Sequence, residues 1–521
     1  MRLLRLASEK RAFCIIILIA IVMRIGLAFR SEERIFARPF VEDSFYLFTC
    51  AEHIAHGEGF TVDGAHPTNG VQPLVTALYA PLFLLSGFDK LLALKLAFFY
   101  IACFDALSIV FLFLLLKALQ KKVVQESRGS VWLSPPIIAA LLWATLYPIY
   151  VHTISGLETG LYSTLLIASL WLYARVLRSR NEGEKVSGVH YIIIGIVLGF
   201  TVLARIDAAI FVAMIALYET SKYKMQGLRS AIIISVIAFA VSSTWWYYNY
   251  SVFGHLMPQS GFAESLDDEL VRNVWQMFTV IADSVTVFFF LPKAVDVSHF
   301  VSAIWAVVVC GSVLYIFRKW KLADVIKNNY NIGALTPLLA TCVAFTLFYI
   351  FFFGAPHFIP RYMNPLRIYT LIFAAIFIPV AFEKLTTTRM QRVILFSFIA
   401  VAFLFSFIRY GYYFTVEDTS DFYRTGKWAS QFPEAKIGME QSGTAGYVSP
   451  NIFNLDGKVN YEALEARRKG DLGGYIARME FDYIADWKEK AEPMARSVQT
   501  YGLKYEFIDS IGRVQIFKRI Q

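Results

Sequence analysis

Residues 12–29, AFCIIILIAIVMRIGLAF, make an apolar run about as long as a membrane crossing, and comparable runs recur as far as residue 410. A helix needs roughly 20 such residues to cross a hydrocarbon core of about 30 Å. The whole chain of 521 residues is 57% hydrophobic and only 17% charged, with a mean hydropathy of +0.52. That balance excludes an ordinary soluble domain and leaves a polytopic membrane protein. The first run is longer than the apolar region of a cleavable signal peptide and lacks a clear small-residue cleavage site, so it is read as an uncleaved span.

Outward from that run, the cations set the topology. They gather in short clusters between apolar segments, at Arg2 to Arg11, Lys117 to Arg128, Arg175 to Lys185, Lys222 to Arg229, Arg318 to Lys327 and Lys384 to Arg392. Placing all six on the cytoplasmic side gives a consistent alternation of about 11 transmembrane helices, at 12–29, 91–116, 133–150, 158–174, 189–205, 206–221, 230–250, 299–317, 333–353, 366–383 and 392–410. The N-terminus is then cytoplasmic. The net charge of +9 is explained by these topology clusters, and no nucleic-acid partner is expected. The segment 71–86 is apolar but short, with Pro73 and Pro81, and reads as a helix at the outer interface.

The fold class expected is therefore an all-α polytopic membrane domain, residues 1–410, followed by a small C-terminal α/β domain outside the membrane, residues 411–521. The tail shows strand-like patterns at 436–447 and 452–459, a helical pattern at 472–479 and a closing hairpin at 505–518. Three polar segments lie on the outer side: the first outer loop at 30–70, the loop at 251–298, and the tail. Chemistry is expected there.

The sharpest feature on that side is the adjacent pair Glu42-Asp43. Asp43 with Ser44 has the composition of a helix N-cap, and a catalytic carboxylate can also stand at a helix start. After the pair comes Gly57-Glu58-Gly59-Phe60-Thr61-Val62-Asp63-Gly64-Ala65-His66-Pro67-Thr68-Asn69-Gly70-Val71-Gln72-Pro73-Leu74. Its glycines and prolines impose tight turns and allow close backbone approach. The five cysteines form no CxxC pair. No spacing makes a convincing metal site; no cofactor is expected, although adjacent acids are able to hold a divalent metal.

Glu42-Asp43-Ser44-Phe45-Tyr46, the Gly-x-Gly-Phe-Thr-x-Asp-Gly stretch and Pro67-Thr68-Asn69-Gly70-x-x-Pro73-Leu74 together resemble the first outer loop of GT-C glycosyltransferases, which include protein O-mannosyltransferases and aminoarabinose transferases. Looser echoes are Ser155-Gly156-Leu157-Glu158-Thr159-Gly160, Ala204-Arg205-Ile206-Asp207 and Pro360-Arg361-Tyr362. The stretches Gly438-Met439-Glu440-Gln441-Ser442-Gly443 and Asn454-Leu455-Asp456-Gly457 are similar to the tails of related transferases. The resemblance implies an inverting glycosyltransferase that moves a monosaccharide from a polyprenyl-phosphate-linked sugar donor to an extracytoplasmic glycan, lipid or protein hydroxyl. It implies a GT-C-like fold in the cytoplasmic membrane, and substrate contacts at Tyr46, His66, Asn69, Gln72, Glu158, Asp207 and Tyr362. Gln72 departs from the family, where histidine is frequent, and Glu42 stands where many relatives have Asp.

That chemistry suits these residue types. A hydroxyl attacking an anomeric carbon needs a carboxylate to take its proton, for which Asp43 and Glu42 are the candidates. The departing phosphate needs cationic stabilisation, and the forked guanidinium of Arg205 or Arg361 binds two phosphate oxygens. Each has a plainer alternative: Arg205 pairing with Asp207, Glu158 capping a helix. The rival function is a lipid transporter or flippase, for which Asp105, inside the second span, is the main candidate residue.

Overall fold

The computed structural model describes residues 2–121, 131–265, 270–286, 321–385 and 420–520, with scattered positions between 304 and 319 and between 390 and 414. The expected spans at 299–317 and 392–410 fall largely outside the described residues, as do residues 266–269 and 287–298 of the loop at 251–298. Among the described residues, five helices are long and apolar enough to cross a membrane: Ala7–Phe29, Lys90–Leu119, Thr159–Asn181, Ile206–Phe253 and Ile332–Phe351. Two bent pairs, Pro135–Thr145 with Tyr147–Thr153 (60°) and Pro356–Tyr362 with Asn364–Val380 (42°), raise the number to seven if each is one span. Gly188–Ala204 and Pro73–Leu85 are shorter apolar helices.

The 48-residue stretch Ile206–Phe253 is too long for one crossing, since it would extend roughly 70 Å as a straight helix. It breaks at Lys224, whose φ of 54° and ψ of −127° are not helical. Beyond the break the chain doubles back: a Cβ on Gly227 would lie 1.9 Å from the Glu219 carbonyl oxygen. Glu219 fastens the turn, accepting two hydrogen bonds from Arg180 (3.0 and 2.9 Å) and one each from Tyr173 and Ser230. The two arms correspond to the separate spans expected at 206–221 and 230–250.

Inside the bundle, Arg24 and Asp105 form a fully buried ion pair at 2.7 Å. Arg24 also donates to the Ala144 carbonyl (2.7 Å) and lies over the Tyr150 ring, while Asp105 accepts from Trp143 and Thr153. Asp105, the main candidate of the rival transport reading, is thus held in an ion pair. Its carboxylate is consumed in tying the first helix, Arg2–Ile25, to Lys90–Leu119 and the bent pair.

The tail folds as a five-stranded sheet in the order β2-β1-β3-β5-β4, with β1 Ile437–Met439, β2 Ile452–Asn454, β3 Tyr483–Trp487, β4 Tyr505–Ile511 and β5 Val514–Arg519. The first three strands are parallel, and β5 runs antiparallel to both β3 and β4. The expected hairpin is present, turning at Gly512 with φ of 60°. The expected strand at 436–447 is only half correct: after β1 the chain forms the helix Gly443–Val448.

That short helix joins the tail to the membrane bundle. Tyr447 is completely buried in the bundle's own apolar core, beside Phe36, Phe45, Phe48 and Phe83. Lys90 donates to the Tyr447 carbonyl at 2.8 Å, and the Tyr447 hydroxyl donates back to the Lys90 carbonyl at 2.9 Å. Gly443 packs directly on the helix Glu42–His56, where a Cβ would meet the Glu42 carbonyl oxygen at 2.3 Å.

Two stability predictions follow from these contacts. Arg24→Met should cost about 3–5 kcal/mol by stranding a buried carboxylate, and the double change Arg24→Met/Asp105→Leu should recover most of it. Thermal unfolding midpoints in detergent test this, and a single variant as stable as the double would refute it. Gly443→Ala should destabilise the fold by roughly 1–3 kcal/mol of overpacking, seen as a lower midpoint.

Candidate functional site

The helix Glu42–His56 begins after Val41, whose backbone is extended and whose side chain offers no cap. Asp43 is therefore not the N-cap. Both acids lie in the first turn, where the helix dipole favours negative charge. The start of the helix is fixed from a second direction: the Val41 amide donates to the Ser155 carbonyl at 3.1 Å. Gly156 follows with φ of 80°, and a Cβ there would stand 2.7 Å from Phe40 and 3.0 Å from Ser44. Only glycine fits that contact in that conformation.

Adjacent positions on a helix point about 100° apart, and the two carboxylates part accordingly. Glu42 turns to the tail, where its oxygens accept from the Thr444 amide at 2.9 Å and from the Thr444 hydroxyl. It thereby caps the helix Gly443–Val448. Burial pushes its carboxyl up to about 8, against those two hydrogen bonds. Asp43 turns the other way, to the Lys458 ammonium at 3.1 Å. Burial alone would raise its carboxyl, but the charges of Lys458 and Arg361 outweigh burial and hold it below the ordinary aspartate range.

Around Asp43 the cations divide into two kinds. Arg205 is already neutralised: it bonds Asp207 through two nitrogens and Glu158 at 3.3 Å, and donates to the Tyr349 hydroxyl at 3.3 Å. Its guanidinium lies over the Tyr362 ring at 4.4 Å and the Tyr162 ring at 5.3 Å. Glu158 occupies the N-cap position of Thr159–Asn181, yet its side chain makes no cap bond and serves Arg205 instead.

Arg361 differs. Among the described residues no carboxylate lies within ion-pair distance of it; it donates to the Tyr362 hydroxyl at 3.2 Å, and its buried Nε has no partner. Tyr362 in turn donates to Glu264 at 3.2 Å. Burial pushes the Glu264 carboxyl up to about 7, with the Asp43 charge adding to the rise and Lys458 and Arg361 opposing it. Arg361 and Lys458 share one aromatic platform, at 5.0 and 4.8 Å from the Phe358 ring centre.

The other residues expected to touch substrate are dispersed. Tyr46 is buried against the tail, where its hydroxyl lies 3.1 Å from Ser442 and accepts from Asn454 at 3.0 Å. Asn69 is buried and accepts from the Gln259 amide at 2.9 Å, leaving its Nδ2 unpartnered. Gln72 precedes the helix Pro73–Leu85, and its carbonyl accepts from Thr76 at 2.7 Å. His66 is largely exposed and pairs with Asp63 at 2.8 Å. Tyr46, Asp63 and His66 line a cavity of about 40 Å³ closed by Ser442, Asn454 and Asn460, separate from the Asp43–Arg361 cluster.

Lys458 is the residue that sequence reading passes over. The signal was adjacent, since the quoted stretch Asn454-Leu455-Asp456-Gly457 stops one residue short of it. Among the described residues there is no group of three or more His, Cys, Asp or Glu side chains placed to hold a metal ion.

The sequence matches no protein-family model and no curated protein. Solved structures do match. ArnT from Cupriavidus metallidurans, bound to undecaprenyl phosphate, superposes with a TM-score of 0.56 at 12% identity, covering 97% of each chain. The Archaeoglobus fulgidus oligosaccharyltransferase in complex with zinc and sulfate gives 0.55 at 13% identity, covering 98% of this chain and 72% of that one. The same enzyme tethered to an acceptor peptide containing the NVT sequon gives 0.52 at 14% identity, covering 99% and 74%. Both proteins are GT-C superfamily members, and at these identities what they share with this chain is architecture: the chain carries the GT-C fold.

Proposed function

We propose that the protein is an inverting glycosyltransferase that moves a monosaccharide from a polyprenyl-phosphate donor to a hydroxyl acceptor, with Asp43 as general base. The observation that carries this reading is the meeting of an ionised carboxylate with two cations, Lys458 and Arg361, on one aromatic platform. Inversion needs a base on the acceptor side and charge stabilisation on the leaving-group side. The acceptor oxygen forms its bond to the anomeric carbon as the carbon–oxygen bond to phosphate breaks. The acceptor proton goes to Asp43, and the leaving lipid phosphate keeps the electron pair.

In this reading Arg361 serves the phosphate, while Arg205, Asp207 and Glu158 form an ion-paired frame that holds Tyr362 and Tyr349. Glu42 is a docking residue. A donor of the polyprenyl-phosphate class is supported by the fold shared with ArnT, whose structure holds undecaprenyl phosphate. Residues 1–410 form an eleven-span domain with the site on the extracytoplasmic side, and residues 411–521 an outer domain that completes it. The transport alternative loses its main residue, because Asp105 is engaged with Arg24.

Asp43→Asn should reduce the initial rate of sugar transfer from a panel of synthetic polyprenyl-phosphate monosaccharides by roughly 10²–10⁴-fold at equal folded yield. Glu42→Gln should keep the rate within about tenfold. Unchanged transfer in Asp43→Asn would remove it as the base. A second outcome concerns pH. The folded Glu42 carboxyl is raised from 4.5 to about 8, so its contribution to stability is complete below 4.5 and is lost as pH rises through 8. The wild-type melting midpoint should therefore fall between pH 5 and 8 more steeply than that of Glu42→Gln, and parallel curves would count against this linkage.

A further inference from the structure

Lys458 comes from the tail, yet its ammonium reaches the carboxylate of the first outer loop, 415 residues earlier in the chain. Its position is fixed by backbone. Gly457 takes φ of 84°, and its amide donates to Asn454 at 3.0 Å, while the Lys458 amide donates to Asp456 at 2.8 Å. Asn454 also donates to Tyr46 on the Asp43 helix. On the far side, Gly70 presses on the Lys458 carbonyl so closely that a Cβ would come to 1.7 Å. A long flexible side chain is thus launched from an immobile base into the Asp43 cluster.

Three acidic side chains surround the ammonium: Asp43 at 3.1 Å, Asp456 at 4.0 Å, and Glu264, which acts on it at longer range. Phe358 lies beneath it, shared with Arg361. A lysine ammonium is a mobile point charge and a strong phosphate partner. Two cations share one ring, and among the described residues one of them, Arg361, has no carboxylate within ion-pair distance and a buried Nε without a partner, so the pair forms a clamp that a phosphate fits.

We infer that Lys458 exchanges partners during the reaction: the phosphate of an anionic polyprenyl lipid takes the ammonium, together with Arg361, and releases the Asp43 carboxylate to face the acceptor. This rests on the glycosyltransferase reading above and adds a residue from the tail to the binding site. It makes donor binding the step that unmasks the base, so a hydroxyl acceptor, water included, meets a paired carboxylate until the donor is seated.

The test measures binding of undecaprenyl phosphate to the full chain in detergent, which needs no turnover. Lys458→Met should weaken binding at least tenfold, and Lys458→Arg should keep it within about threefold. Asp43→Asn should bind at least as tightly as wild type. The double variant Asp43→Asn/Lys458→Met decides between roles. If Lys458 only neutralises Asp43, removing both restores wild-type affinity, which overturns the inference; if Lys458 holds phosphate, the double variant stays at least tenfold weaker. Should Lys458→Met fail to fold, Lys458→Gln, which removes the charge and keeps a polar end, supplies the same comparison. Lipid binding that depends on Lys458 without sugar transfer from any donor would sink the transferase reading alone. Transfer that depends on Asp43 with lipid binding indifferent to Lys458 would sink this inference alone.

Discussion

The Glu42 carbonyl and the backbone of Gly443 approach so closely that even a methyl group between them would need 2.3 Å to the oxygen. Most of what is distinctive in the protein depends on that contact. It sets the helix Gly443–Val448 across the start of Glu42–His56, lets Glu42 receive two bonds from Thr444, and drives Tyr447 into the apolar core of the bundle. With the tail seated in this way, the turn at Asn454 reaches Tyr46 and Lys458 reaches Asp43. The site is assembled by packing between distant parts of one chain, and the polar bonds lie on top of that packing.

Burial and charge then sort two chemically similar acids into different roles. Glu42 meets neutral donors, and burial raises its carboxyl; Asp43 meets two cations and stays ionised. The same logic separates the arginines. Arg205 carries its countercharges in the neighbouring sequence and in Glu158, whereas Arg361 is held by a phenol and aromatic faces. A group already neutralised by built-in partners is suited to framing a site, and one left with surplus charge is suited to receiving an anion.

The membrane class and the long apolar helices seen among the described residues were legible because they depend on composition over some twenty residues, which any window of sequence carries. Even the break in the 48-residue stretch could be read from the basic cluster at Lys222 to Arg229. The acidic pair was legible too, but not which member meets Thr444 and which meets Lys458, since those partners lie 402 and 415 residues away. The helix Gly443–Val448 was hidden for the same reason. Its two glycines and β-favouring Tyr447-Val448 give weak local preference for a helix, and its docking on the bundle decides the outcome. Asp105 was ambiguous because a carboxyl inside a span signals either function or a buried partner, and Arg24 sits 81 residues before it.

The distance in sequence between Asp43 and Lys458 has a consequence for how the protein is made. The acid leaves the ribosome early, near the first apolar run, and its ammonium partner only after every span has been synthesised. Until the tail has folded onto the helix Glu42–His56, the carboxylate lacks its lysine. The pairing at Asp43 is therefore completed in one late step of synthesis, and a chain that has not yet made its tail carries the acid without its lysine.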